Sequence, residues 1–205
     1  MDKAAPGRHK AAGNRAKAEG NRPAAAADAP RDARERAARV RLLAMDVDGT
    51  LTDGAILIGG DAELAKAFSV HDGFGLTLLA RAGIELVLIT GRQSDIVDRR
   101  AAELGIQRVH QAVKDKLATL QQVCRQLGIG IDQAAFAGDD WPDLPPMNAC
   151  GLAAAPADAV EEVRRAAHWV ASARGGAGAI RELAMFILDA QDRRAELLEP
   201  YLRRS

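Results

Sequence analysis

A doubly wound α/β domain, with helices on both faces of a parallel sheet, is the fold class that this 205-residue sequence predicts. Three observations lead to it. Apolar runs of strand length alternate with segments of helix length from Val40 onward. Apolar residues make up 48% of the chain while aromatics are only 3%, and a small-aliphatic bias of this kind suits helices packed on a sheet that is buried on both faces. No internal repeat interrupts the alternation, so right-handed crossovers build one Rossmann-like sheet.

The first 38 residues stand apart from this pattern. They are rich in Ala, Gly, Pro, Lys and Arg, and they bury too little apolar surface to offset the entropy of ordering, so they read as a disordered basic extension. Its last part, "RDARERAARV", has helical composition and leads into a domain at 39–205. The formal net charge of zero hides an asymmetry: residues 1–41 carry eleven basic and five acidic side chains, leaving the remainder acidic. No aromatic is interleaved in the tail to stack on bases, which disfavours nucleic acid as a partner. No stretch approaches the roughly 18 apolar residues of a membrane helix, and no apolar run follows the N-terminal charges as in a signal peptide. Cys124 and Cys150 have no CxxC spacing and read as reduced thiols, which fits a cytoplasmic protein.

Within the domain, strands are expected at "LLAMDV" (42–47), "ELVLIT" (85–90), "AAFAG" (134–138), "GLAAA" (151–155) and "WVAS" (169–172), with a weaker one at "RVHQAV" (108–113). Helices are expected at 73–83, 94–105, 114–128, 143–149, 157–167 and, as one closing segment, 178–198. The second and third end in Gly105 and Gly128, where C-cap glycines belong. Between Gly54 and Asp72, "AILIGGDAELAKAFSV" places two strand-like runs around "GGDAE", a β-hairpin at about 55–70 inserted after the first strand.

Ligand sites in such folds lie beyond the carboxyl ends of the strands. There the sequence gathers Asp46 and Asp48, then Thr90 with Gly91 and Arg92, then Asp139, Asp140 and Asp143, with Lys116 opening a helix. Carboxylates crowded at one rim repel unless a cation sits among them, and an all-oxygen set with few protein donors suits Mg²⁺. Asp46, ionised beside Lys116, has the chemistry of a nucleophile toward phosphorus. Asp48, two residues on, projects to the same side and is placed to move a proton. Gly49 lets the backbone turn, so that its N–H groups, with Thr90 and Lys116, hold phosphoryl oxygens. Each element alone has an ordinary structural reading as turn, cap or surface charge; the ordered set DxDGT, ITGR, Lys and GDDxxD is far more specific.

"DVDGTLTDG", "ITGR", Lys116 and "GDDWPD" resemble the four motifs of the haloacid dehalogenase superfamily of phosphohydrolases. Further similarity, in "FSVHDGFG", "VKDK", "GDDWPDLPPM" and "GGAGAIRE" and in the hairpin that replaces a cap domain, is to the branch that acts on an eight-carbon 3-deoxy sugar acid phosphate in lipopolysaccharide synthesis. The resemblance implies Asp46 as nucleophile and Asp48 as acid/base, with Thr90 and Lys116 on the phosphate. It implies Mg²⁺ held by Asp46, Asp139 and the Asp48 carbonyl, with Asp140 and Asp143 in support. Asp72 and Gly73 are implied in substrate binding, and Arg92 and Arg174 are available to meet the sugar's carboxylate. His71, Trp141 and Ala177 depart from that branch's pattern. A nine-carbon keto-deoxy sugar phosphate is the alternative substrate, and a phosphoacceptor receiver or a nucleic-acid-binding protein are alternatives of other classes.

The hairpin also raises the question of assembly. "AILI" at 55–58 is too apolar for an insertion outside the sheet, and a lone hairpin is marginal, so pairing between subunits is expected. The resemblance implies a homotetramer built this way, with "RGGAGAIRE" a candidate to reach a neighbour's pocket.

Overall fold

Strand and helix alternate as expected in the computed structural model, which describes Met1, residues 31–60 and residues 62–203. The disorder expected of the extension concerns residues that, up to residue 30 and apart from Met1, lie outside this set. Residues 31–37, in the part of the extension read as helical, are ordered against the domain. They form helix α1 (Arg31–Ala37), with Ala33 and Ala37 buried, and Gln191 donates to the carbonyls of Ala37 and Val40 at 3.2 and 2.8 Å. Alanines every fourth residue give this short helix one small apolar face, which allows it to pack closely.

Six parallel strands follow the order β5-β4-β1-β6-β7-β8. They are β1 (Leu42–Met45), β4 (Glu85–Ile89), β5 (Arg108–His110), β6 (Ala134–Ala137), β7 (Leu152–Ala155) and β8 (Trp169–Val170). The helices after α1 are α2 (Val70–Arg81), α3 (Asp95–Leu104), α4 (Lys116–Leu127), α5 (Leu144–Ala149), α6 (Glu161–Ala166), α7 (Ala179–Ala190) and α8 (Arg194–Leu202). Alternate residues of β1 feed two cores. Leu43 and Met45 pack with Leu76, Leu79, Leu183 and Ile187 on one face, while Leu42 and Ala44 pack with Leu120, Val123 and Met147 on the other. This two-sided burial explains why the strands read as continuous apolar runs.

Gly105 and Gly128 close α3 and α4 in the left-handed conformation, at φ 70° and 63°, as their positions suggest. Several boundaries differ from expectation, among them the helix expected at 157–167, which runs Glu161–Ala166, and two others show their cause. Helix α2 starts at Val70, before "GFGLTLLARAG", because Ser69 caps it by accepting from the N–H of Asp72. The closing segment is two helices, since Asp192 takes φ 55° and Arg193 N–H turns back to Leu188 O at 2.9 Å.

The insertion is the expected hairpin: β2 (Leu57–Gly59) pairs antiparallel with β3 (Ala62–Ala65), with a register shift between Leu57 and Ile58. It forms its own two-stranded sheet. Ile58 and Leu64 are 72% and 66% exposed. No helix among the described residues is long and apolar enough to cross a membrane, and Cys124 and Cys150 are buried and unpaired.

Candidate active site

The rim is built by strands that continue one residue past their regular ends. Asp46 donates its N–H to Ala137 O at 2.9 Å and Thr90 donates to His110 O at 2.9 Å, so both side chains are fixed by ladder geometry at the carboxyl edge. Lys116 arrives as the first residue of α4, which Asp115 caps by accepting from Ala118 N–H at 2.9 Å. Asp46, Thr90, Lys116 and Asp143 are all buried, Asp143 completely.

Lys116 Nζ is the positive centre. It donates to Asp143 Oδ1 at 2.6 Å and lies 3.0 Å from Asp46 Oδ1. The second contact is an ion pair by distance but its angle falls outside hydrogen-bond geometry, so the buried Asp46 Oδ1 has no hydrogen-bond partner. The other Asp143 oxygen accepts the backbone N–H groups of Asp139 and Asp140 at 3.0 and 3.3 Å. Asp139 in turn accepts from Thr50 Oγ1 at 2.7 Å.

Oxygens of Asp46, Asp139 and Asp143 all lie within 4.8 Å of one another. Desolvation, then the charge of Asp143, pushes the Asp46 carboxyl up to about 6 against the pull of Lys116. Desolvation also raises Asp139 to about 7, more than its bond from Thr50 lowers it. Acids held this far above their ordinary range, with one buried oxygen unpartnered, fit a divalent cation among them. Gly49 completes the cradle: its φ is 94°, and a Cβ there would stand 2.1 Å from Asp139 Oδ2.

A cleft of about 450 Å³ opens over this group, lined by Asp46, Asp48, Thr90, Arg92, Lys116 and Asp139 among others. Asp48 lines the same cleft but is not a member of the acidic cluster. It forms a close ion pair with Lys66 and lies 3.8 Å from Arg92 Nε. Lys66 also pairs with Glu63 at 2.8 Å, and Ser94 Oγ donates to Glu63. The hairpin thus sends its own charges to the acid/base candidate. Lys66, Glu63 and Ser94 carried no motif signal, while Lys114, which also lines the cleft, lies in the "VKDK" similarity but was given no role there. Thr50 was within reach of sequence reasoning, being part of DGT, but its partner 89 residues away was not.

Several expected residues are placed elsewhere. The Asp143 side chain, expected only in support, is a full member of the acidic cluster. Asp140 lines the cleft, but its side chain caps the turn at Trp141–Asp143 by accepting from Trp141 N–H, and only its backbone N–H supports Asp143. Asp72 is not offered to substrate: it is buried and accepts the N–H groups of Gly178 and Arg181 at 3.2 and 2.7 Å, capping α7. Gly73 lies on α2 against Arg100, whose guanidinium end a Cβ there would meet at 2.4 Å. Arg174 pairs with Asp158 at 3.0 Å, outside the cleft.

The glycine-rich segment, named above as a candidate to reach a neighbouring chain, packs within its own chain against the loop that follows Asp46. Gly176 N–H donates to Thr50 O at 3.2 Å, Asp158 accepts the Gly175 N–H at 2.9 Å, and a Cβ on Gly175 would fall 1.8 Å from Gly49 O. Two backbones approach here with no room for a side chain.

A buried carboxylate set against a lysine and an acidic cluster, at the carboxyl rim of a parallel sheet, defines a hydrolase of the haloacid dehalogenase-like class. Residues 105–180 match the model of that family, the haloacid dehalogenase-like hydrolases. The 3-deoxy-D-manno-octulosonate 8-phosphate phosphatase KdsC of Yersinia pestis is 41% identical over 162 residues, covering 79% of this chain and 87% of the relative. The structure of such a phosphatase from Moraxella catarrhalis, in complex with magnesium ion, phosphate ion and KDO, has a TM-score of 0.81 at 39% identity. It covers 83% of this chain and 98% of the other. A cobalt-bound deoxy-D-mannose-octulosonate 8-phosphate phosphatase from Haemophilus influenzae gives 0.79 at 36%, over 82% of this chain and 99% of the other. The chain belongs to the 3-deoxy-D-manno-octulosonate 8-phosphate phosphatase family of haloacid dehalogenase-like hydrolases.

Proposed function

We propose that this chain hydrolyses 3-deoxy-D-manno-octulosonate 8-phosphate to the free sugar acid and phosphate, through a phosphoaspartate on Asp46. The observation that carries the reading is the state of Asp46: buried at the end of β1, 3.0 Å from Lys116, with one oxygen left without a hydrogen-bond partner beside Asp139 and Asp143. Asp46, Asp139 and Asp143, with the Asp48 carbonyl, would hold Mg²⁺. Bound there, the ion supplies neutralisation of phosphoryl charge and keeps these carboxylates ionised.

Asp46 attacks phosphorus while the bond from phosphorus to the C8 oxygen breaks, and Asp48 gives its proton to that leaving oxygen. Asp48, now a carboxylate, takes a proton from water as the water attacks the phosphoaspartate. The bond between phosphorus and the Asp46 oxygen breaks, releasing phosphate and restoring both acids. Lys116 and Thr90 hold the phosphoryl oxygens, and Arg92, half-exposed at the cleft, meets the substrate carboxylate. The named relatives support this substrate, and a role in lipopolysaccharide synthesis is what the resemblance of the motifs implies. Free thiols at Cys124 and Cys150 support a cytoplasmic location. The exposed Ile58 and Leu64 support assembly through the hairpin, and the tetramer is what the family resemblance implies.

Phosphate release from the eight-carbon substrate, a nine-carbon keto-deoxy homologue and glucose 6-phosphate, each with Mg²⁺ and with chelator, tests the proposal. The expected result is Mg²⁺-dependent turnover that is fastest on the eight-carbon acid. Equal efficiency on glucose 6-phosphate would overturn the substrate, and full turnover in chelator would overturn the metal.

A further inference from the structure

Away from the catalytic rim, α2, α7 and α8 enclose a second cleft of about 280 Å³, close to the lower end of the usual range for small-ligand pockets, about 300 Å³. Its walls are Leu78, Met185, Leu188 and Leu197, and two arginines, Arg181 and Arg194, enter the same space.

The arginines are not equivalent. Arg194 Nη1 is paired with Asp189 Oδ2 at 2.9 Å. Arg181 Nη1 is buried and has no hydrogen-bond partner among the described residues. The carboxylate of Asp72 is already engaged by the N–H groups of Gly178 and Arg181. Burial, then the charge of Arg194, lowers the pKa of Arg181, with Asp72 opposing. The guanidinium carbon of Arg181 sits over the Phe74 ring at 5.1 Å. Phe74 meets Tyr201 edge to face at 5.6 Å, and Tyr201 OH accepts from Arg81 at 2.7 Å, so the mouth has a fixed aromatic edge.

A buried guanidinium N–H without an acceptor is costly, and an apolar hollow beside it is open to solvent contact. One kind of small molecule answers both: an anionic head that takes the free donor of Arg181, followed by an apolar body along the leucines. We propose that this cleft is a binding site for an amphipathic monocarboxylate, with its head on Arg181 and Arg194 and its chain along Leu78, Leu188 and Leu197. A polar sugar acid or inorganic phosphate satisfies only the arginines, and a neutral alcohol satisfies only the apolar wall. The site involves none of the residues assigned to phosphoryl transfer, so its occupancy is separable from catalysis.

Calorimetric titration of the full chain with decanoate, kept below its micelle concentration, tests this, with decanol, acetate and inorganic phosphate titrated alongside. The expected result is saturable binding of one decanoate per chain, with none of the three controls matching it. Arg181→Gln weakens decanoate binding roughly tenfold or more, on the scale of a charged hydrogen bond, while thermal stability and phosphatase activity show that the fold is intact. Should Arg181→Gln misfold, Leu197→Trp fills the hollow from the opposite wall and abolishes binding. The proposal is overturned by absence of saturable binding, including the case where self-association closes the cleft. It is also overturned by decanol binding as well as decanoate, or by unchanged affinity in a folded Arg181→Gln.

Discussion

The catalytic rim and the hairpin lie a few residues apart in sequence and are opposite in construction. At the rim, Asp46, Lys116 and Asp143 are buried and each is fixed by a strand or helix end. The hairpin is two strands of three and four residues whose apolar side chains face water. Its firm attachment is through charge: Lys66 to Asp48 and Glu63, and Glu63 to Ser94. The difference teaches that the acidic cluster and its lysine are assembled by burial within one chain, whereas the hairpin leaves apolar side chains in water, in keeping with the assembly proposed above.

The largest expected effect breaks the rim's chemistry without breaking its shape. Asp46→Asn leaves no nucleophile and abolishes phosphate release, whereas Asp48→Asn retains the nucleophile and loses roughly 10² to 10⁴ in rate, the usual range for an acid/base group. A continuous phosphate assay separates the two; measurable burst turnover by Asp46→Asn would remove it from the role.

Next comes the rim's electrostatic balance. Lys116→Met leaves Asp46 and Asp143 buried without their cation, and breaking a buried pair from one side costs about 3–5 kcal/mol. Denaturant unfolding of the metal-free protein should show a loss on that scale, and a loss under about 1 kcal/mol would mean the pair is solvated.

The acids sharpen the same point through pH. The folded-state pKa of Asp46, about 6, and of Asp139, about 7, lie above their unfolded values, so the metal-free fold binds the extra protons. Stability from these groups is fully present below about pH 4 and is lost as pH rises toward 7. Mg²⁺ competes with those protons, so its stabilisation should be greater at pH 8 than at pH 5. Thermal melts with and without Mg²⁺ check this, and an equal rise in Tm at both pH values would refute the assignment of the acidic cluster as the metal site.

A smaller effect tests the link between the two regions. Lys66→Met removes the ion pair that holds Asp48 in place, so kcat should fall with the fold preserved. An unchanged kcat would make the hairpin a bystander to catalysis. The smallest effect on the isolated chain is Ile58→Asp, at an exposed site where substitutions usually stay within about 0.5 kcal/mol. Light scattering should nevertheless show that this variant dissociates, and a monomeric wild type would remove the hairpin's role in assembly.

How much was legible follows from the range over which each signal acts. Alternation and C-cap glycines report on neighbours a few residues away, and so the six strands, Gly105 and Gly128 could be read from the chain alone. The same holds for Asp46, Thr90, Lys116 and Asp139, since a strand or helix end in an open parallel sheet dictates which rim it reaches. What the tertiary structure alone decided is who meets whom. Asp72 looked like a substrate ligand and became the cap of α7, 106 residues on. Asp143 joined the acidic cluster as a full member, and the glycine-rich loop docked behind its own Gly49. Lys66, which had no role in the hairpin read from sequence, came to hold Asp48. Each of these outcomes depends on packing two segments that local spacing does not relate, because burial compels a polar group to take whichever partner the fold brings within about 3 Å.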